Sequence, residues 1–199
     1  MLMKFVLATA NTGKIGEMCG ILSGMGHEVV TRDALGIDII IEETGSTFYE
    51  NALLKASAIS KASGLPAIAD DSGLCIEALD GAPGLYSSSF GGEGLSDEER
   101  CVFLLETMKN MEHRRAKFVS NILCVFPDGD ILSAEGECRG TILTAPQGSN
   151  GFGYDPVFMA DGKDVSMAEL PTEVKNSISH RGIALSKFVK LLEGRGEGN

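Results

Sequence analysis

Two adjacent aspartates, Asp70 and Asp71, follow the short apolar segment 67–69 and precede the pair Ser72-Gly73. Neighbouring carboxylates repel each other and burial deprives them of hydration, so a cation is needed to neutralise them. Mg²⁺ is the natural candidate, because it prefers oxygen ligands and often joins carboxylates to phosphates. Successive residues of a strand point to opposite faces, so both carboxylates reach one ion only where the chain turns. The Ser-Gly pair predicts that turn.

The same segment has two other interpretations. Asp71-Ser72-Gly73 matches the D-[ST]-G motif of aspartic proteases, in which two aspartates share a proton. The chain carries one copy of this motif, so a protease would require a symmetric dimer. A plain surface turn is the commonest structure for an Asp-Ser-Gly tripeptide, although the apolar segment directly before it argues against that interpretation.

A second candidate segment, residues 9–14, reads Thr-Ala-Asn-Thr-Gly-Lys and lies where a predicted strand ends and a predicted helix begins. A helix N-terminus presents unpaired N–H groups and a partial positive charge, which suit a phosphate, and Asn11 and Lys14 add donors. The segment is not a Walker A loop, because Ala8 and Ile15 occupy the positions of the first glycine and the Ser/Thr. A plain helix cap with a solvated lysine is the alternative.

A third segment, residues 148–156, places three glycines around Phe152 and Tyr154. Glycines allow the backbone to approach a ligand closely, and an exposed aromatic ring offers a stacking surface for a base. The segment does not fit the G-x-G-x-x-G pattern, because Pro156 occupies the last glycine position. A plain hairpin turn is the alternative.

Further charged residues lie outside these segments. Glu43 can complete a carboxylate metal site, and Lys55 can contact phosphate. Lys175, His180 and Arg181 lie near the start of the last predicted helix. Each of these residues, taken alone, also fits a solvated surface charge or a structural histidine.

The elements that position these residues follow from periodicity and capping signals. Short apolar or β-branched segments predict strands over residues 4–8, 28–31, 38–42, 67–69, 74–79, 117–126, 131–143 and 156–158. Helical spacing and capping boxes predict helices over residues 14–25, from Thr47 to Gly64, from Ser96 to near Lys109, and along the apolar stripe Ala184, Leu185, Phe188, Val189 and Leu192. Strands interleaved with helices, plus a hairpin around residues 127–130, predict an α/β fold with a mixed twisted sheet flanked by helices.

Composition limits the class of protein. With 199 residues, 43% hydrophobic and 23% charged, the chain fits one domain over residues 1–193, followed by a disordered tail over 194–199. No apolar run reaches the length of a membrane helix or a secretory signal, so we expect a cytoplasmic protein with no membrane partner. The five scattered cysteines are expected to be reduced and buried. A net charge of −11 opposes nucleic acid binding, so local cations or a metal must hold any anionic substrate.

Taken together and in this order, the segments resemble the inosine triphosphate pyrophosphatase family, which removes ITP, dITP and XTP from the nucleotide pool. The resemblance extends from Leu7-Ala8-Thr9 to Ser179-His180-Arg181, and its most specific parts are residues 67–74, 151–156 and 178–181. It implies two lobes with an active-site cleft between them, a homodimer, and hydrolysis to a nucleoside monophosphate and pyrophosphate.

The resemblance also implies roles for individual residues. The triphosphate is expected at Thr9, Ala10, Asn11, Thr12, Gly13, Lys14, Lys55 and Lys175. Mg²⁺ is expected at Glu43, Asp70 and Asp71, with Asp71 as the general base. Ser72 is expected to contact the substrate, and the nucleoside to be held by Phe152, Gly153, Tyr154 and Asp155, with His180 and Arg181 at its 6-oxo group. One departure is visible, since Ser89 stands where relatives often carry an arginine.

Two rival functions stay open. The first is a pyrophosphatase for other modified nucleotides, such as methylated or pyrimidine triphosphates. The second is a nucleotide-binding module without catalysis, which the presence of Glu43, Asp70 and Asp71 together with three candidate lysines argues against. Which carboxylate binds the metal and which activates water is not decided by the sequence.

Overall fold

The structure, a computed structural model, describes residues 2–24 and 26–196. Its strands are β1 (Lys4–Leu7), β2 (Glu28–Thr31), β3 (Ala67–Ile76), β4 (Arg115–Val125), β5 (Ile131–Ile142) and β6 (Phe158–Ala160). Its α-helices are α1 (Thr12–Gly24), α2 (Phe48–Ser63), α3 (Asp97–Thr107), α4 (Thr172–Ile178) and α5 (His180–Gly196). The strands form one sheet in the order β2-β1-β3-β4-β5-β6, in which β1 is parallel to β2 and β3 while β6 is antiparallel to β5. The predicted α/β fold with a mixed sheet is confirmed.

The described chain divides into two compact units. The first unit comprises the described residues of Met1–Asp71, Ser120–Gly136 and Arg181–Asn199, and the second comprises Ser72–Val119 and Glu137–His180. The boundary falls within β3, β4 and β5. The active-site cleft that the family resemblance implies stays a prediction.

The first unit has helices on both faces of its strands. Side chains on one face pack against α1 and α5, in a cluster that includes Phe5, Leu7, Met18, Leu22, Ile68, Ile122, Ala184, Leu185 and Phe188. The side chains that alternate with these pack against α2, in a cluster that includes Val6, Ala8, Ala52, Ala56, Ile59, Ala67, Ala69 and Leu123. Because side chains alternate along a strand, the even-numbered residues of β3 in this unit face α1 and α5, and the odd-numbered ones face α2.

The second unit has one main core cluster. It joins β3, β4, β5 and β6 to α3, and its members include Leu74, Ile76, Leu104, Met108, Phe118, Cys138, Ile142, Tyr154, Val157 and Phe158. The rings of Phe118 and Phe158 meet edge to face, with centroids 4.7 Å apart. Since Tyr154 and Val157 belong to this cluster, the end of the glycine-rich segment is anchored in the core.

Local signals predicted several elements correctly. Thr47 caps α2, which ends at Gly64 in the left-handed conformation, as a C-terminal glycine predicts. Ser96 and Glu99 form the predicted capping box of α3. The predicted hairpin is present, because β4 and β5 are neighbours joined by the turn 126–130.

Several predicted boundaries and one predicted strand are wrong. The strand predicted over residues 156–158 is β6 at Phe158–Ala160, after a 3₁₀ turn at Asp155–Val157, and the strand predicted over 74–79 ends at Ile76. Residues 38–42 form no strand, because Ile37 and Ile41 pack against the α2 cluster without pairing to β2, and Ile40 is 93% exposed. Helix α1 begins at Thr12, two residues before the predicted start, and Met25 at its predicted end lies outside the described residues. Helix α5 continues to Gly196, so the first three residues of the expected tail are helical, and residues 197–199 lie outside the described part.

Two further predictions concern the state of the cysteines and the lack of a membrane-spanning helix. All five cysteines are free thiols, with Cys19 and Cys75 only partly buried and the others buried. Of the helices in residues 2–24 and 26–196, none has the length and apolar character needed to cross a membrane.

Candidate functional site

Asp70 and Asp71 lie within the continuous strand β3, and the predicted turn at Ser72-Gly73 is wrong. Strand geometry therefore directs the two carboxylates to opposite faces. Asp70 shares the face of Ile68 with α1 and α5, and its ion pairs are with residues of these two helices. Asp71 shares the face of Ala69 with α2, and its partners lie on that helix. The two aspartates therefore belong to two polar clusters with different hydrogen-bond partners, and the charge of Lys14 acts on both carboxylates.

Asp70 is buried in a fully paired cluster. Its Oδ2 lies 2.7 Å from Lys14 Nζ and 3.1 Å from Arg181 Nη2, and Ser120 Oγ donates to its Oδ1 at 2.5 Å. Burial opposes ionisation, but the charges of Arg181 and Lys14 outweigh it and hold the pKa of Asp70 well below its usual range. Asp70 is therefore a charged acceptor at neutral pH, with strong donors around it.

Arg181 is fixed by two carboxylates. Besides Asp70, its Nη1 contacts Glu17 Oε2 at 2.5 Å, and only 2% of the residue is exposed. A guanidinium in such a fork has little freedom of orientation. This arrangement orients the side chain of Arg181 within the first unit.

Asp71 lies in the second polar cluster, beside Lys55 of α2. Lys55 Nζ donates to Asp71 Oδ1 at 2.7 Å and to Glu43 Oε2 at 3.0 Å, so one ammonium joins both carboxylates. Burial raises the pKa of Asp71 against the attraction of Lys55, and Glu43 adds repulsion. Asp71 is thus a carboxylate with increased proton affinity, unlike Asp70.

Asn51 organises the residues around this cluster. It lies one helical turn before Lys55, its Oδ1 accepts from Gly45 N at 2.8 Å, and its Nδ2 donates to Asp71 Oδ2 at 3.4 Å. A Cβ at Gly45 would lie 2.7 Å from Asn51 Oδ1, so only glycine fits there. The amide therefore connects the segment that carries Glu43 to the carboxylate of Asp71.

Two of the three carboxylates expected to bind Mg²⁺ lie close together. Glu43 and Asp71 already share one cation, Lys55, and carboxylate oxygens are ligands that Mg²⁺ prefers. Both oxygens of Asp70 accept hydrogen bonds on the other face of β3. Among residues 2–24 and 26–196, no three His, Cys, Asp or Glu side chains come together as a metal-binding group. The pair Glu43 and Asp71 fits the ion, and the three-carboxylate site stays a prediction.

Residues 9–14 form the entry to α1. Asn11 caps the helix, because its Oδ1 accepts from Lys14 N at 3.0 Å, and Asn11 N contacts Thr9 Oγ1 at 3.2 Å. The first N–H groups of a helix have no partner within it, so those of Thr12 and Gly13 suit an anion. Lys14 is paired with Asp70, which places this anion-binding turn beside that cluster.

In the second unit, the backbone of the glycine-rich segment contacts a buried ion pair. Lys175 Nζ of α4 lies 2.6 Å from Asp155 Oδ2, and the same oxygen accepts from Phe152 N at 2.9 Å. Gly151 has φ +79, and a Cβ there would lie 2.1 Å from Asp155 Oδ2. The glycine at 151 is therefore required by the protein's own ion pair as well as by its turn.

The two aromatic residues of this segment differ in exposure. Phe152 is half-buried, and Lys175 Nζ lies 4.9 Å from its ring centroid. Tyr154 is 5% exposed and its hydroxyl donates to Ser87 O at 2.8 Å, so the prediction that it offers a stacking surface is wrong. Phe152 is the ring that can stack on a base.

His180 and Ser72 complete the predicted residues of the second unit. The imidazole of His180 stacks on Phe118, with centroids 4.7 Å apart and planes inclined by 13°. Ser72 is the first residue of this unit and lies half-buried within β3. The ring of His180 is thus held in one plane by its aromatic neighbour.

Comparison with known proteins decides the family. A sequence model of the Ham1 family matches residues 5–191. The chain belongs to the Ham1 family. The dITP/XTP pyrophosphatases of Deinococcus radiodurans and Haemophilus influenzae are 49% and 50% identical to it, over 94% of this chain and 91% and 97% of theirs. The solved Ham1 protein of Staphylococcus aureus is 42% identical, with a TM-score of 0.87 over 96% of this chain and 99% of that one.

Membership in the Ham1 family confirms the resemblance drawn from the motifs, and it leaves the role of Ser89 open. In this Ham1 chain Ser89 is half-buried, and its hydroxyl donates to Tyr86 O at 3.4 Å. Its short side chain makes a local turn contact at the position where the family resemblance leads us to expect an arginine. Any function of a cation at this position is absent from this chain.

Three polar residues of this Ham1 chain were not predicted as part of the site: Glu17, Asn51 and Ser120. Two of them had a weak signal in helical spacing, since Glu17 lies three residues after Lys14 and Asn51 lies four before Lys55. Ser120 is a fully buried hydroxyl in a strand of mostly apolar residues. A buried hydroxyl requires a partner, but the sequence does not say which one.

Proposed function

We propose that this protein hydrolyses the non-standard purine nucleoside triphosphates ITP, dITP and XTP to the nucleoside monophosphate and pyrophosphate. The observation that carries the proposal is the second polar cluster, in which Asp71, Lys55 and Glu43 meet. It is supported by relatives named dITP/XTP pyrophosphatase that are about half identical over nearly the whole chain. A carboxylate of increased proton affinity beside an ammonium is suited to activate water next to a phosphate.

The triphosphate is assigned to the anion-binding turn of α1 and to two lysines. The N–H groups of Thr12 and Gly13 and the ammonium of Lys14 supply positive potential at the N-terminus of a helix. Lys55 supplies a further cation beside Asp71. In a protein of net charge −11, such local cations are needed to hold a substrate with several negative charges.

Mg²⁺ is the proposed cofactor, with Glu43 and Asp71 as its protein ligands. When bound, it would neutralise the triphosphate and the charge that develops as the bond between the α and β phosphates breaks. Asp70 is left out of this pair, because its oxygens accept from Lys14, Arg181 and Ser120. This revises the three-carboxylate site expected from the family resemblance.

Asp71 is the proposed general base. A water molecule attacks the α-phosphorus and its proton passes to the carboxylate of Asp71. The bond between the α-phosphorus and the oxygen that bridges to the β-phosphorus breaks, so the nucleoside monophosphate forms and pyrophosphate leaves with the bridging oxygen. In the metal-free protein, burial raises the pKa of Asp71, so the carboxylate accepts a proton more readily than an exposed aspartate does. Lys55 fixes one oxygen of this carboxylate and Asn51 contacts the other, so its orientation is set before substrate binds.

The nucleoside is assigned to residues of the second unit. Phe152 is proposed to stack on the base, and the pair Asp155 and Lys175 supports the backbone that carries it. His180 is proposed to donate to the 6-oxo group, which hypoxanthine and xanthine carry and adenine replaces with an amino donor. Unmatched polar groups in such a pocket discriminate by up to about 10⁴-fold.

We further propose that the protein acts as a homodimer in the cytoplasm, as the family resemblance implies. The acidic surface, with net charge −11, supports a small-molecule substrate rather than nucleic acid. Light scattering of the purified protein measures the oligomeric state. A monomeric mass at micromolar concentration would contradict the dimer.

The proposed reaction predicts a substrate profile. We expect pyrophosphate release from ITP, dITP and XTP to exceed that from ATP and GTP, and to stop when a chelator removes Mg²⁺. The comparison uses pyrophosphate detection on all five nucleotides, with Mg²⁺ restored after chelation as the control. Faster release from a methylated or pyrimidine triphosphate would favour the rival substrate class, and no release from any nucleotide would favour a binding module.

His180 provides a prediction about base choice. His180→Phe keeps an aromatic ring against Phe118 but removes both imidazole nitrogens, so the stacking stays and the donor is lost. We expect kcat/KM for ITP to fall by about 30-fold, and that for ATP by less than about threefold, because only ITP loses a hydrogen bond to O6. Equal losses on the two substrates would show that His180 does not read the base.

A further inference from the structure

Helix α3 holds the glycine-rich segment through the backbone of Gly153. Asp97 is the first residue of α3, and its Oδ2 accepts a hydrogen bond from Gly153 N at 2.6 Å. One turn later on the same helix, the thiol of Cys101 donates to Gly153 O at 3.4 Å. Both backbone polar groups of Gly153 therefore have partners on α3.

The conformation of Gly153 depends on these hydrogen bonds. Its φ is +64, and no atom lies within 4 Å of the place that a Cβ would occupy. Glycine has the largest backbone freedom of any residue, and here no side chain of its own packs against a neighbour. The hydrogen bonds to α3 therefore fix the orientation of the peptide groups next to Phe152.

The contact from Asp97 is the stronger of the two. A carboxylate that accepts from a backbone N–H forms a charge-assisted hydrogen bond, which is stronger than a bond between two neutral groups. The capping box of Ser96 and Glu99 fixes the first turn of α3, so the carboxylate is held in place before it meets the loop. Burial, with added repulsion from Asp97, raises the pKa of Cys101 to about 12, so its thiol stays protonated and can donate.

We infer that Asp97 is a positioning residue for nucleoside binding, which acts through Gly153 to hold Phe152 in the orientation that stacks on the base. The inference rests on the proposed role of Phe152. Asp97 itself lies on the exposed start of α3, and it acts on the substrate only through the loop backbone. Its loss should therefore weaken binding of the nucleoside and leave the reaction at Asp71 intact.

The test compares three variants of the full chain. Asp97→Ala removes the acceptor, and Asp97→Asn keeps a neutral oxygen that can still accept from Gly153 N. Glu98→Ala is the matched control, because Glu98 is an exposed acid in the same first turn of α3. Pyrophosphate release from ITP gives KM and kcat for each variant, and thermal unfolding reports the fold. Hydrogen exchange at the Gly153 amide, followed by NMR, reports the hydrogen bond directly.

We expect Asp97→Ala to raise KM for ITP about tenfold, the effect of one charge-assisted hydrogen bond, with kcat within about twofold of wild type. Asp97→Asn should recover part of this loss, and Glu98→Ala should match wild type. Exchange at the Gly153 amide should accelerate in Asp97→Ala and stay unchanged in Glu98→Ala.

Two results would overturn the inference. The first is a KM for Asp97→Ala equal to that of Glu98→Ala, and the second is a loss confined to kcat. If the wild-type protein releases no pyrophosphate from ITP, the proposed function fails instead. In that case the hydrogen exchange of the Gly153 amide alone tests the positioning role. An exchange rate in Asp97→Ala equal to that of wild type would overturn it.

Discussion

Replacing Asp71 by asparagine should lower kcat for pyrophosphate release from ITP by about 10³-fold, a typical contribution of a general base. The amide keeps the shape of the carboxylate and can still contact Lys55, but it cannot accept a proton from water. Burial raises the pKa of Asp71, so the folded protein already favours its neutral form relative to the unfolded chain. A neutral amide at this position is therefore tolerated by the fold, and the melting temperature should stay close to that of wild type.

The measurement is turnover at saturating ITP and Mg²⁺, with thermal unfolding of the same samples. Asp38→Asn is the matched control, because it makes the same chemical change at a fully exposed side chain. Wild-type turnover in Asp71→Asn would show that another group activates water. A large fall in melting temperature would show that the carboxylate serves the fold, as we expect for its neighbour Asp70.

The sequence predicted the parts of this fold that depend on local signals. The caps of α2 and α3, the glycine at the end of α2 and the turn 126–130 each depend on residues a few positions apart. The continuation of β3 through Ser72-Gly73 does not depend on such local signals. It depends on pairing with a strand that begins about forty residues later, and this pairing overrides the turn preference of a Ser-Gly pair.

Local sequence signals also could not predict the ion-pair partners of the basic residues expected to bind the substrate. Four basic residues expected to hold the substrate are each paired with a carboxylate: Lys14 with Asp70, Lys55 with Asp71 and Glu43, Lys175 with Asp155, and Arg181 with Asp70 and Glu17. Arg181 and Glu17 are 164 residues apart in sequence, so no spacing rule connects them. The motifs identified the candidate residues, and the packing of distant segments decided which carboxylate each cation pairs with.

These pairs give the two adjacent aspartates different tasks. Asp70 accepts from Ser120 and balances two cations, so its charge stabilises the arrangement of α1, α5 and β4 around it. Asp71 has one strong donor, Lys55, and shares it with Glu43. A carboxylate that is fully paired is a poor proton acceptor, whereas one with increased proton affinity is a good one. These contacts favour Asp71 over Asp70 as the carboxylate that acts on water.

Asp70→Asn should be the most destabilising single change at these clusters. Removing one partner of a buried ion pair costs about 3–5 kcal/mol, because the cations left behind stay buried without compensation. Here both Lys14 and Arg181 lose their shared carboxylate, while Arg181 keeps its ion pair with Glu17. The free energy of unfolding by urea, measured at pH 7, checks the loss. Ser120→Ala is the matched control, which removes one hydrogen bond to the same carboxylate and should cost only about 1–3 kcal/mol.

The destabilisation by Asp70→Asn should depend on pH with a definite sign. The pKa of Asp70 is held well below its usual range in the folded protein, so its charge contributes stability that is fully present above the unfolded pKa of about 3.9. That contribution is lost as pH falls from there towards the folded pKa. The difference in unfolding free energy between wild type and Asp70→Asn should therefore be constant from pH 7 to about pH 5 and shrink below about pH 4. The comparison uses the metal-free protein, and a difference that grew as pH fell would contradict the ionised, paired state of Asp70.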